Sequence, residues 1–134
     1  MIGDEVTRWL QINNFGTEAT NLFLGFQPDM PDNCITIYDT SAVVSDDSHA
    51  INTDQVGIQI LVRNNNYLEA RNISQNIYKK LLGFGGSSLY EGGTLVHVVY
   101  LTTAPTSIGK DDNGRNEWST QYMFRIDSQG NDYR

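Results

Sequence analysis

The stretch from Glu117 to Ile126 alternates without a break, with Trp118, Thr120, Tyr122, Phe124 and Ile126 on one side and Glu117, Ser119, Gln121, Met123 and Arg125 on the other. Successive side chains of a strand point to opposite faces, so this pattern demands a β-strand buried on one side and a layer to cover it. The second face is only half polar, and Gln121, Met123 and Arg125 there suggest an exposed edge open to a partner strand. Further strands are expected at Asn21–Phe26, Cys34–Thr40, Val56–Asn64 and Thr94–Thr103. The first two flank the proline-containing breaker "QPDMPDN" and could pair across it as a hairpin.

Two helical stripes supply the covering layer. Ile2, Val6, Trp9 and Leu10 recur at helical spacing, and this helix should end by Gly16. A longer helix follows Asn66, which has Glu69 at capping-box distance; Ala70, Ile73, Ile77 and Leu81 form its stripe, Leu82 widens it and Gly83 closes it. Ser41–Gln55 has no usable period and reads as a long loop. The expected fold is α+β, a four- to five-stranded mainly antiparallel sheet packed against two helices, with all 134 residues in one domain and a frayed tail from about residue 128.

Composition narrows the function. A formal net charge of −7 argues against a protein that grips phosphate backbones by neutralising them. The single cysteine, Cys34, cannot form an internal disulfide. Two acids near the N-terminus stand where a signal peptide needs a basic start, and no apolar run approaches the ~20 residues that span a bilayer. The chain reads as soluble, with no membrane partner.

The charged knot Lys110–Arg115 is the obvious candidate site, and a metal loop fails on spacing. Counting from Asp111 as position 1, Arg115 and Asn116 fall where a calcium loop needs an oxygen ligand and a glycine. Asn113-Gly114 instead favours a two-residue type I′ hairpin turn. His97 sits between valines as a structural histidine, and His49 beside Asp46 and Asp47 lacks a spaced second ligand pair. Cys34, opening an apolar strand, reads as a small buried side chain rather than a nucleophile. "GFGGSS" lacks the lysine of a phosphate loop and follows a helix. No enzyme, metal or cofactor signal survives. What remains is a set of interaction features: the acidic loop with Asp46 and Asp47, the tip with Lys110, Asp111, Asp112 and Arg115, and the outer face with Gln121, Met123 and Arg125.

Three stretches, "GFQPDMPDNCITIYDT", "VGIQILVRNNNYLEARNISQNIYKKLLG" and "APTSIGKDDNGRNEWSTQYMFRI", resemble in order and spacing the minor capsid proteins of tailed bacteriophages, the group that includes tail terminators. The echoes are Pro31, Asp32 and Asn33 before a strand, Val62-Arg63 running into a helix with Ala70, and Pro105, Gly109, Asp111-Asp112 and Gly114-Arg115 before the last strand. Ser41-Ala42 departs from the glycines expected after "YDT". The resemblance implies a non-enzymatic virion protein, made in the host cytoplasm, that forms a ring of about six subunits on the tail tube. Such a ring stops tube polymerisation and presents a surface for head joining. Its partners would be copies of itself, the tail tube protein and a head-completion or neck protein. Genomic DNA would pass through the lumen without tight binding, helped by the negative charge. A neck protein, a tube subunit and a small metal-dependent hydrolase are the alternatives.

Overall fold

The computed structural model describes residues 2–40, 44–45 and 53–127. The alternating segment forms β7 (Asn116–Asp127), and Trp118, Thr120, Tyr122, Phe124 and Ile126 are all buried. On one side it pairs antiparallel with β4 (Thr53–Asn64), from Thr53 opposite Asp127 to Asn64 opposite Asn116. On the other lies β6 (Leu95–Lys110). β7 is therefore an interior strand, and the expected open edge at Gln121, Met123 and Arg125 does not exist. Those residues lie half-buried on the sheet face away from the core. Alternation reports which faces are covered and says nothing about which edges are paired, because ladder bonds involve only the backbone.

β2 (Cys34–Asp39) extends the sheet antiparallel to β4, and β1 (Leu22–Leu24) joins β2 in parallel, Leu22 opposite Ile35 and Leu24 opposite Ile37. The expected β1–β2 hairpin is thus overturned. The connection through residues 25–33 doubles back, because two arginines hold it at the end of the sheet where β2 begins. A hairpin needs the chain to turn at once. Here it is returned to the starting end first.

Two more corrections concern extent. β3 (Val44–Ser45) pairs with Gln55 and Asp54, and β4 begins at Thr53, so Ser41–Gln55 is not a single loop. Thr53 and Asp54 are polar yet buried between strands, which hid the strand from any hydrophobic pattern. β6 continues through Ala104-Pro105 to Lys110, where a connection was expected. Pro105 is tolerated because β5 (Ser87–Ser88) reaches only Leu95 and Val96, so among the described residues no strand on the outer edge of β6 needs its N–H.

Among the described residues the sheet has seven strands in the order β1-β2-β4-β7-β6-β5, with β3 beside β4. Register shifts along β6–β7 curl it into a half-barrel. Two helices close the core. α1 (Ile2–Ile12) buries Ile2, Val6, Trp9 and Leu10, and α2 (Tyr67–Leu81) buries Ala70, Ile77 and Leu81. Leu82, expected to widen that stripe, is exposed. The Asn66 side chain accepts the Glu69 N–H at 3.0 Å, while the Asn66 N–H turns to Asn64 Oδ1 at 2.9 Å.

The glycine connection after α2 is fitted against β6. A Cβ placed on Gly85 would lie 2.2 Å from the His97 carbonyl oxygen, a backbone atom held in the sheet. Gly85→Ala is expected to cost about 1–3 kcal/mol, as overpacking does. Denaturant unfolding measures it, and wild-type stability would contradict this close approach.

Candidate interaction site

Lys110 ends β6 and the chain reverses over residues 111–115. Gly114 N–H donates to Asp111 O at 3.0 Å, and Asp111 N–H to Arg115 O at 2.9 Å. In this turn only Gly114 has positive φ, at 78°. A type I′ turn needs positive φ at Asn113 as well. The turn is instead a three-residue loop in which a type I turn is followed by a left-handed glycine. Asp111 organises it, since its Oδ1 accepts the N–H of Asn113 at 3.0 Å and of Arg115 at 2.9 Å.

Arg115 was expected at an exposed interaction tip. Its side chain is instead 5% exposed and held within its own chain. Nε donates to Asp111 Oδ2 at 2.7 Å, Nη1 to Asp32 Oδ1 at 3.2 Å and to the Asp29 carbonyl, and Nη2 to Asp29 Oδ1 at 3.2 Å. Strand geometry explains the correction: opposite Asn64 and Arg63, the first residues of β7 sit under the returning 25–33 segment. Arg63 performs the same task from β4. Its Nη2 donates to the Pro31 carbonyl at 2.6 Å and the Asp29 carbonyl at 3.3 Å, and its Nε to the Asp32 carbonyl at 3.2 Å. The two guanidiniums clamp residues 29–32 onto the hairpin end. Sequence reasoning noted Arg63 only within the Val62-Arg63 echo of the family and gave it no role; its signal was a cation facing away from the core in a strand buried on both faces.

The clamp leaves specific groups outside. The Asp29 side chain is 78% exposed, Met30 64% and Phe26 57%, and Asp112 is exposed beside them. Asn113 Nδ2 bonds Asp29 Oδ1 at 3.3 Å, joining turn and loop into one surface. Lys110 is exposed at its margin. Gln121, Met123 and Arg125 belong elsewhere: at ~3.3 Å per residue, Arg125 lies up to roughly 33 Å along β7 from Arg115. Asp46 and Asp47 fall outside the described residues.

Burial pushes Asp111 up, but the Arg115 N–H, the Arg115 guanidinium and the Asn113 N–H outweigh it and hold the carboxyl below its ordinary value. A depressed folded-state pKa adds stability above the unfolded value, near 3.8, and that stability is lost as pH falls through the lower folded value. Asp111→Asn is therefore expected to melt below wild type at neutral pH and to converge with it in strong acid. Melting curves across the acid range check this; parallel curves would deny Asp111 that role.

Other candidates recede. Cys34 is buried, and burial pushes its thiol up, away from a reactive thiolate. His97, expected as a structural histidine, is exposed and meets Asp127 at 2.7 Å. Among the described residues no three of His, Cys, Asp or Glu converge as metal ligands, and no helix is long and apolar enough to cross a membrane.

A family model described as bacteriophage tail terminator protein matches residues 9–128, which takes in the loop, both clamping arginines and the turn. The chain belongs to the bacteriophage tail terminator family. Tail terminators are structural virion proteins, and this one is a tail component rather than an enzyme. The fold is also similar to a chain in the solved virion of a native gene transfer agent particle, with a TM-score of 0.71 at 9% identity over 95% of each chain. No curated protein matches the sequence.

Proposed function

We propose that the protein closes the finished tail tube as a ring of about six copies and offers the outer face of that ring to the head. The observation that carries this reading is the tail terminator match across residues 9–128. The clamped surface supports it, since a preorganised surface loses less entropy on binding. Copies of the chain, the tail tube protein and a head-completion or neck protein are its partners. Asp112 and Lys110 at the turn, the acids Asp46 and Asp47, and the outer face with Gln121, Met123 and Arg125 supply contacts in ring and tube. Asp111 and Arg115 hold that surface in shape. A net charge of −7 per subunit lets DNA slide through the lumen without being gripped.

Complementation of a phage lacking the gene tests this. Overlong tails without the protein, and normal tails with it, are the expected result. Tails of normal length with unjoined heads would move the protein to the neck. Duplex DNA binding with a steep salt dependence would replace the sliding lumen with a gripping one.

A further inference from the structure

The clamped loop and the far end of α2 are complementary, and α2 itself sets them apart. At one end, Asn65 donates to Asn33 Oδ1 at 2.9 Å and to Asp32 Oδ2 at 3.3 Å, so the loop abuts the start of α2. It presents Met30 flanked by Asp29 and Asp32. Toward the other end, roughly 12–18 Å along the helix axis from Tyr67, Gln75, Tyr78 and Lys79 of α2 and Ala104 and Pro105 of β6 line a groove of about 350 Å³. Lys79 in the groove and its chain neighbour Lys80 are both exposed.

The distribution of cations makes this pairing selective. Of nine Lys and Arg, Arg63 and Arg115 hold the loop itself, and Arg8 lies over the Tyr90 ring at 5.8 Å. Lys79-Lys80 is the one place where two cations adjoin in sequence. In an acidic chain, that pair is where an acidic surface of a second copy meets attraction rather than repulsion.

We propose that Met30 of one copy seats in the α2–β6 groove of the next, with its Asp29 and Asp32 facing the neighbour's Lys79 and Lys80. Methionine suits such a socket, because its unbranched, polarizable side chain fills an irregular gap. Binding energy concentrates in a few anchors that fill desolvated pockets. The two surfaces are different patches at opposite ends of one helix, so the contact is head-to-tail and repeats around a ring instead of stopping at a dimer. This inference rests on the ring reading above and names the surfaces that build it.

The test uses full-length wild type, Met30→Lys and the double variant Lys79→Glu/Lys80→Glu, with circular dichroism to verify folding and sedimentation velocity to measure assembly. Each variant substitutes exposed positions and is expected to fold, yet to self-associate at least ~10-fold more weakly, because like charges then face each other. An equimolar mixture is expected to regain wild-type assembly, since the introduced cation meets the introduced carboxylates at alternate contacts. Wild-type rings that both variants also form would overturn these surfaces and leave the ring standing. Variants that fold, fail alone and fail when mixed would overturn the pairing of one surface with the other. A wild type that stays monomeric, alone and on purified tail tubes, would overturn the ring and this contact together.

Discussion

Replacing Phe124 with alanine is expected to lower stability by about 3–5 kcal/mol, the range for truncating a buried aromatic. Phe124 has no exposed surface, and it stands opposite Val56 on β4 and Val99 on β6, so the hole would open in the middle of the core. Neighbouring strands on both sides limit how far the backbone can collapse into it. For a chain of this length each kcal/mol shifts Tm by roughly 3–5 °C, which places the expected drop at about 9–25 °C. Its neighbour Met123 is the control. Met123 is half-buried on the other face, opposite Gly57 and Tyr100, and Met123→Ala is expected to cost about 1 kcal/mol or less. Denaturant unfolding of the two variants measures the contrast between successive residues of one strand. Equal losses would mean that both faces of β7 are packed alike.

The second large effect is expected at the clamp. Arg63 donates three hydrogen bonds to backbone carbonyls of residues 29–32, and a single charged donor of this kind contributes about 1.5–3 kcal/mol. Allowing for rehydration of the freed carbonyls, Arg63→Ala is expected to cost about 3 kcal/mol. Arg115→Ala should add to this by leaving Asp29, Asp32 and Asp111 facing one another without their common cation. The core lies on the other face of the sheet, so the double variant should keep its secondary structure and lose the order of residues 25–33. Limited proteolysis within that segment reads this directly, and assembly on tail tubes should fail along with it. Lysine at either position is not expected to rescue, because an ammonium cannot hold several acceptors in the fixed directions of a guanidinium. A loop that stays protected in the double variant would show that something other than the two arginines holds it.

Much of this structure was legible in one dimension. The helices, the buried face of β7 and the main strands follow from spacing, because a 3.6-residue stripe and a two-residue alternation each encode one covered face. The capping role of Asn66 was equally visible. What failed to show were features in which backbone pairing or a remote charge decides. The start of β4 at Thr53, the passage of β6 through Pro105 and the parallel β1–β2 pair depend on which strand lies alongside. No side-chain period records that neighbour.

The candidate site divides in the same way. Lys110, Asp111, Asp112 and Arg115 were recognisable as a polar turn, and the order of motifs pointed to the tail terminator family. Their division of labour was not recognisable. An arginine in a charged run reads as a surface contact, yet Arg115 is buried because residues 29–32, more than eighty positions earlier, fold back over it. By itself the sequence determined the buried faces, the helices and the polar turn, since each depends on residues near in the chain. Only the tertiary structure decided that β7 is central, that Arg63 joins Arg115, and that Met30 stands exposed between acids. The reason is that a guanidinium's worth is set by the acceptors brought to it, and those arrive from distant parts of the chain.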